Sequence, residues 1–159
     1  MSAPGAALAR EPVLEARGLR THFPIRRGIL QRTVGHVRAV DGVDLAVFPG
    51  ETLGLVGESG CGKSTLGRTL LRLLPATEGE VRFEGRDVLS LRGADLKGLR
   101  RDMQIIFQDP VGSLDPRMTV REIVGEGLAT HGLGSGRERE TRVREMLERV
   151  GLRPEVAGR

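Results

Sequence analysis

Residues 57–64 read Gly-Glu-Ser-Gly-Cys-Gly-Lys-Ser and match in full the pattern of a glycine, four residues of any type, then Gly-Lys and a Ser or Thr. Glycines let a loop close around an anion with its backbone N–H groups directed inward, and a helix that begins there adds the positive end of its dipole. Lys63 supplies a compact charge for the β- and γ-phosphates of a nucleotide, and the hydroxyl of Ser64 is a ligand for Mg²⁺. The pattern therefore predicts a phosphate-binding loop. The alternative is a glycine-rich strand–helix turn that binds nothing.

The lysine of this loop is notable because lysine is rare in the chain. Of the 25 lysines and arginines, only Lys63 and Lys97 are lysines. An ammonium is a compact point charge, and the planar fork of an arginine would be a poor replacement for it here. Thr65 adds a second hydroxyl near the α-phosphate. Cys61 occupies a spacer position, where it is either a tolerated small residue or a redox-sensitive thiol near a helix N-terminus.

The loop requires a strand before it and a helix after it. The apolar run Thr52–Val56 predicts a buried strand, and a second apolar run, Met103–Gln108, predicts another. After the loop, leucines at helical spacing predict a helix that ends at Pro75; they are Leu66, Leu70, Leu73 and Leu74. Further strands are predicted at Val13–Phe23, which ends at Pro24, and at Val37–Val47 and Glu80–Glu84, with a basic surface hairpin or insertion at Ile25–Gly35.

Helical signals dominate the rest of the chain. Ala94–Arg101 predicts a short helix. Thr119 and Glu122 have the spacing of a capping box, which predicts that a helix begins there. Arg137–Val150 predicts another amphipathic helix, with Gly151 at its left-handed C-cap position. The apolar stripes of the last two helices are Val120, Ile123, Val124 and Leu128, and Val143, Met146, Leu147 and Val150.

Composition excludes several classes of protein. The formal net charge is +4, but the arginines are largely interleaved with acidic residues and there is no Tyr or Trp, so we expect no nucleic-acid partner. No uncharged run approaches the ~18–20 residues of a membrane span, and the first residues lack the features of a secretory signal. Cys61 is the single cysteine, which excludes an intrachain disulfide and a multi-cysteine zinc site. We expect a cytosolic protein with no membrane span of its own.

Several stretches resemble the ATP-binding subunits of ABC transporters. Residues 50–65 are similar to the Walker A region of that family, and residues 103–110, Met-Gln-Ile-Ile-Phe-Gln-Asp-Pro, are similar to its Q-loop. Residues 22–25, 37–43 and 110–119 further resemble the oligopeptide and dipeptide importer ATPases, a group that includes nickel importers.

The resemblance implies a fold class and a domain organisation. The fold would be α/β, a P-loop NTPase-type sheet with an antiparallel β subdomain and the start of a helical subdomain. The nucleotide-binding core, with A-loop, Walker A and Q-loop, would cover residues 12–108, and the beginning of the helical subdomain would cover residues 109–159. Residues 1–11, rich in Ala, Pro and Gly, would form a flexible tail.

The resemblance also implies ATP and Mg²⁺ as cofactors and assigns roles to residues. Lys63 and Gln108 would act in catalysis, Ser64 and Gln108 would bind the metal, and Phe23 rather than His22 would stack on adenine. Phe23 has the alternative of a strand-end core residue, and Gln108 that of a polar residue ending a strand. The nucleotide-binding set is Phe23, Gly57, Glu58, Ser59, Gly60, Cys61, Gly62, Lys63, Ser64 and Thr65.

The implied function is that of the ATP-binding subunit of a peptide importer, peripheral on the cytoplasmic face of the membrane, with permease subunits and a second ATPase subunit as partners. Residues 109–128 would face the coupling helix of a permease, or would pack on their own domain. The family's signature motif, Walker B strand, catalytic Glu and switch histidine have no counterpart in these 159 residues, so we expect negligible ATPase activity from the chain alone. The alternatives are a non-catalytic nucleotide-binding or docking fragment and another P-loop NTPase or kinase.

Overall fold

The computed structural model describes residues 10–29, 31–110 and 112–159. The chain divides into two compact units, the first ending at Met103 and the second beginning at Gln104. Of the expected flexible tail over residues 1–11, residues 1–9 lie outside the described residues. Within the described ranges, each helix is too short or too polar to span a bilayer.

The first unit contains a four-stranded antiparallel sheet with the order β2-β1-β3-β4. Its strands are β1 (Leu14–Arg27), β2 (Arg32–Val47), β3 (Glu78–Phe83) and β4 (Arg86–Asp87). The first two form a long hairpin, and the predicted surface hairpin at Ile25–Gly35 is its outer part. The prediction that the first strand ends at Pro24 is wrong. β3 pairs with β1 only as far as Arg20, so among the described residues no strand pairs with β1 at Pro24 on the side away from β2. The N–H of His22, two residues earlier, points to that side, and a missing N–H group at Pro24 therefore costs no ladder hydrogen bond.

Two helices lie in the first unit, α1 (Lys63–Leu70) and α2 (Gly93–Asp102). Alternate residues of β3, Val81 and Phe83, are buried as predicted. The core of this unit contains side chains from the sheet and both helices, namely Ala16, Leu19, Val40, Leu66, Val81, Phe83, Val88 and Leu99. Burial of a side chain such as Leu66 stabilises the unit by about 1.5–3 kcal/mol, which holds α1 on the sheet.

The two predicted buried strands, Thr52–Val56 and Met103–Gln108, do not form. Both runs lack strand structure, and Val56 and Ile106 are 94% and 95% exposed. A strand requires hydrogen-bonding partners, and neither run has a partner strand among the described residues. The apolar composition of these runs indicates a preference for burial, but composition does not supply the neighbouring strand.

The helix after the loop is shorter than predicted. It ends at Leu70 instead of continuing to Leu74. Arg72 has a φ of +54°, which is incompatible with a right-handed helix, and the N–H groups of Leu73 and Leu74 both donate to the carbonyl oxygen of Arg68. The guanidinium of Arg72 donates to the carbonyl oxygens of Val88 and Leu91, which accounts for the early end of the helix.

The second unit contains α3 (Val120–Thr130), α4 (Gly136–Arg149) and a 3₁₀-helix (Pro154–Gly158). Leu128, Val143 and Leu147 form its core. The capping box predicted at Thr119 and Glu122 is present, and Gly151 has the predicted left-handed conformation with a φ of +76°. The predicted apolar stripe of α4 is too wide, because Met146 and Val150 are exposed.

Candidate functional site

The glycine-rich loop leads directly into α1. Residues 57–62 have no helical or strand structure, and Gly60 and Gly62 have positive φ values of +84° and +96°. The backbone N–H groups of Gly60, Gly62, Ser64 and Thr65 donate to no described residue of the protein. The first N–H groups of every helix lack partners within the helix, as those of Ser64 and Thr65 do here. The N–H groups of Gly60 and Gly62 add unpartnered donors from the loop that precedes the helix. The loop and the first turn of α1 can therefore offer several N–H groups to one anion.

Gly62, the N-cap of α1, is held tightly against β2. A Cβ atom placed on Gly62 would lie 2.1 Å from the carbonyl oxygen of Ala39. No side chain can be accommodated at that distance, and the positive φ independently favours glycine. The second glycine of the motif therefore has a packing role as well as a conformational one, because it places the start of α1 against the backbone of the hairpin.

Lys63 extends back across the loop. Its Nζ atom donates to the carbonyl oxygen of Gly57 at 2.7 Å and to that of Glu58 at 2.6 Å, and lies 3.3 Å from Sγ of Cys61. Lys63 forms no ion pair with any acidic side chain that the structure describes. Among the described residues, its ammonium contacts two backbone carbonyls and a thiol but no carboxylate, so it remains available to an anion such as phosphate.

Cys61 contributes to the shape of the loop. Its exposed thiol packs over Gly57, where a Cβ atom would lie 2.7 Å from Sγ. The N–H group of Cys61 donates to the carbonyl oxygen of Glu58 at 3.3 Å, which closes a turn within the loop. Cys61 thus fills the space beside Gly57, and a side chain at Gly57 would require the Cys61 side chain to move.

The hydroxyl group of Ser64 lies in the first turn of α1. Ser64 is exposed, and its hydroxyl has no hydrogen-bond partner among the described residues, so it is free to bind a metal ion. The described residues include no group of three or more His, Cys, Asp or Glu side chains that could hold a metal. This donor set fits Mg²⁺, which typically keeps several waters and binds through substrate phosphates, better than it fits a metal that needs an all-protein cage.

A buried pair of threonines attaches α1 to the sheet. The hydroxyl of Thr69 donates to the carbonyl oxygen of Thr65 and lies 2.9 Å from the hydroxyl of Thr21 on β1. Both threonines are almost fully buried. Because a buried hydroxyl without a partner costs about 1–3 kcal/mol, this pair fixes the position of α1 along β1.

Phe23 follows Thr21 by two residues on β1. Its side chain is 37% exposed and its partner across the hairpin is Val37. This exposure does not match the alternative of a core residue. His22 points elsewhere, since its Nε2 atom lies 3.2 Å from the carboxylate of Asp41. Desolvation works to raise the pKa of Asp41, but the hydrogen bond to His22 and the charges of Arg38 and Arg20 outweigh it and hold that pKa below its ordinary value.

Gln108 belongs to the second unit, whereas the loop and Phe23 belong to the first. Gln108 is exposed and lies in neither a helix nor a strand. The segment after it is stabilised locally: the carboxylate of Asp109 accepts from the N–H group of Gly112, and Asp115 accepts two hydrogen bonds from the Arg117 guanidinium. This bidentate pair lowers the pKa of Asp115.

Three residues that position the site, Ala39, Thr21 and Thr69, were not identified from the sequence. Ala39 contributes only a backbone carbonyl, which no sequence pattern reveals. Thr21 and Thr69 are separated by 48 positions, and a pair of threonines at such a distance has no recognisable signal. The close contact of Gly62 with the backbone of β2 was likewise not predicted from the sequence.

Comparison with known proteins places these features in context. The sequence model of the family described as "ABC transporter" matches residues 40–157. The chain is 51% identical over 154 residues to the oligopeptide transport ATP-binding protein AppF of Bacillus subtilis (strain 168), covering 96% of this chain and 47% of AppF. It is 54% identical over 149 residues to the glutathione import ATP-binding protein GsiA of Salmonella paratyphi A, covering 94% of this chain and 24% of GsiA. The chain therefore spans less than half the length of these relatives.

Solved structures show the same fold. The dimeric structure of MJ0796, a bacterial ABC transporter cassette, matches this chain with a TM-score of 0.73 and 28% sequence identity. The match covers 91% of this chain and 60% of that one. The cbiO1 protein of Clostridium perfringens, part of the ABC transporter complex cbiONQ, is 23% identical with a TM-score of 0.65, covering 93% of this chain and 53% of that one. The fold is thus that of an ABC ATPase cassette, of which this chain contains the antiparallel sheet and the first helices.

Proposed function

Because this chain belongs to the ABC transporter family, we propose that it is the ATP-binding portion of a subunit that powers the import of a peptide. The observation that carries this proposal is the geometry of residues 57–65. A lysine without an acidic partner lies in a loop of glycines whose N–H groups have no partners among the described residues. Such a loop is suited to the phosphate tail of a nucleotide.

Each residue of the loop has a distinct task in this proposal. The N–H groups of Gly60, Gly62, Ser64 and Thr65 hold the phosphates, and Lys63 exchanges its carbonyl partners for phosphate oxygens. Gly57, Glu58, Ser59 and Cys61 form the rest of the cradle. Exchange of neutral carbonyls for an anionic phosphate favours binding, because the ammonium then faces an acceptor of opposite charge instead of a dipole.

The remaining roles extend the proposal to other parts of the chain. Ser64 and Gln108 bind Mg²⁺, and Phe23 stacks on the adenine ring. When it is bound, MgATP supplies the free energy of phosphate transfer, and the residues of this chain bind and orient it. We propose that residues 12–108 form the nucleotide-binding core and that residues 109–159 begin the helical subdomain.

The substrate class and the partners are inferred from the relatives. AppF is named as an oligopeptide transport protein and GsiA as a glutathione import protein, and glutathione is itself a tripeptide. A peptide is therefore the best-supported class of cargo. We propose that the subunit works on the cytoplasmic face of the membrane with permease subunits and a second ATPase subunit.

A nucleotide titration of the purified chain tests the proposal. Lys63→Ala should weaken binding of a fluorescent ATP analogue by roughly 10–100-fold, because one charged hydrogen-bond donor is lost. The matched control is Lys97→Ala, which removes the other lysine of the chain from α2. Equal affinities of the wild type, the Lys63 variant and the Lys97 variant would overturn the proposal.

A further inference from the structure

The long hairpin of β1 and β2 has a charge distribution that the nucleotide site does not explain. Between Glu15 and Asp41 the sequence has six arginines, two histidines and no acidic residue. Near the base of the hairpin the arginines are neutralised, since Arg17 pairs with Glu15 and Arg20 pairs with Glu78. The sequence as a whole suggests that arginines and acidic residues are interleaved. Along this part of the chain they are not.

The arginines near the turn of the hairpin lack such partners. Arg26, Arg27 and Arg32 are exposed and form no ion pair with any residue in the described ranges. Arg27 and Arg32 face each other directly in the antiparallel register. Like charges in directly opposite positions destabilise a strand pair. An anion that binds between them would convert this repulsion into attraction.

Large apolar side chains are exposed on the same segment. Ile29, at the turn, is fully exposed, and Val34 and Ile25 are 58% and 39% exposed. Isolated exposed apolar residues are common on protein surfaces, but here they lie among the arginines that have no acidic partner in the described ranges. We refer to this surface as the hairpin tip, which consists of Ile25, Arg26, Arg27, Ile29, Arg32 and Val34.

We propose that the hairpin tip binds the anionic surface of a lipid bilayer. The arginines contact lipid phosphates, and Ile29 with its apolar neighbours enters the interfacial region. Anionic lipid matches both properties of the tip, because a basic segment near a charged leaflet gains about 1 kcal/mol for each arginine and exposed apolar side chains gain from insertion. A nucleic acid would match only the charge, since the tip has no aromatic side chain on which bases could stack. This proposal does not depend on the proposed nucleotide site.

Vesicle flotation with the full 159-residue chain, without nucleotide, tests the proposal. The chain should bind vesicles of phosphatidylcholine mixed with phosphatidylglycerol, and bind poorly to phosphatidylcholine alone. The triple variant Arg26→Gln, Arg27→Gln, Arg32→Gln should bind the anionic vesicles roughly a hundredfold more weakly, which corresponds to about fivefold for each arginine. The loss should shrink at high salt.

A charge-matched control separates the hairpin tip from net charge. The variant Arg137→Gln, Arg149→Gln, Arg153→Gln removes the same charge from exposed positions of the second unit and should bind like the wild type. Ile29→Ser should weaken binding to a degree that high salt does not change. Equal losses in both triple variants, binding to neutral vesicles as strong as to anionic ones, or tighter binding to duplex DNA than to vesicles at the same salt would each overturn the proposal.

Discussion

The carbonyl oxygen of Ala39 lies where a side chain on Gly62 would have to be, 2.1 Å from the position of its Cβ atom. This contact joins the glycine-rich loop to the second strand of the sheet. The loop is therefore held at two places. The backbone of β2 contacts Gly62 at the end of the loop, and the buried pair of Thr21 and Thr69 attaches the following helix, α1, to β1. The consequences of this arrangement can be measured by substitution.

Gly62→Ala should strongly destabilise the first unit. The added methyl group would collide with the backbone of β2, and the φ of +96° is unfavourable for alanine. Gly67→Ala is the matched control, because Gly67 lies within α1 and a Cβ there meets nothing within 4 Å. That change should raise stability by about 0.5–1 kcal/mol through helix propensity. Urea denaturation of both variants checks the prediction, and a Gly62 variant as stable as the wild type would show that the contact with Ala39 is not restrictive.

Thr21 and Thr69 should be energetically coupled. Thr69→Val keeps the shape of the side chain but leaves the buried hydroxyl of Thr21 without its partner, which should cost about 1–3 kcal/mol. The double variant Thr21→Val, Thr69→Val removes both hydroxyls and should be more stable than the sum of the single changes predicts. A double-mutant cycle measured by thermal or urea unfolding tests this. Strictly additive effects would mean that the two hydroxyls do not interact.

Phe23 should contribute to the binding of ATP but not to the binding of inorganic tripolyphosphate, which has no base. Removal of the exposed ring in Phe23→Ala should weaken ATP binding by roughly 5–100-fold, because stacking of a base on an aromatic ring contributes about 1–3 kcal/mol. Affinity for inorganic tripolyphosphate should not change, and Phe23→Tyr should retain ATP affinity. Calorimetric titrations with the two ligands provide the comparison. An unchanged ATP affinity in Phe23→Ala would remove Phe23 from the site.

The capping box of α3 should make the second unit sensitive to acid. The backbone N–H group and the hydroxyl of Thr119 donate to the carboxylate of Glu122 and hold its pKa below the ordinary value. A carboxylate with a lowered folded-state pKa contributes stability that is complete above the unfolded-state pKa and disappears as the pH falls through the folded-state value. Glu122→Gln should therefore remove part of the acid dependence of unfolding.

Urea unfolding followed by far-ultraviolet circular dichroism at a series of acidic pH values measures this dependence. The control is Glu145→Gln, on an exposed position of α4, which should leave the pH profile as it is in the wild type. A profile for Glu122→Gln that overlies the wild type would contradict the assigned role of the cap.

The parts of the fold predicted from the sequence are those with local causes. The capping box at Thr119 and the left-handed Gly151 depend on residues within one helical turn, so their sequence signals are sufficient. The glycine-rich loop at residues 57–62 and the start of a helix directly after it also have local causes. The runs Thr52–Val56 and Met103–Gln108 failed because a strand forms only against partners, and partner strands are a non-local property. The extension of β1 through Pro24 and the contact at Ala39 also depend on distant segments.

Nuclear magnetic resonance of the ¹⁵N-labelled chain, at 17.2 kDa, tests the central claim most directly. The claim is that the backbone N–H groups of residues 57–65 hold the phosphates of ATP. Addition of MgATP should shift the amide resonances of Gly60, Gly62, Ser64 and Thr65 more than those of any helix in the second unit, and Lys63→Ala should suppress these shifts. Amide shifts that are absent from residues 57–65, or that persist unchanged in the Lys63 variant, would contradict the account.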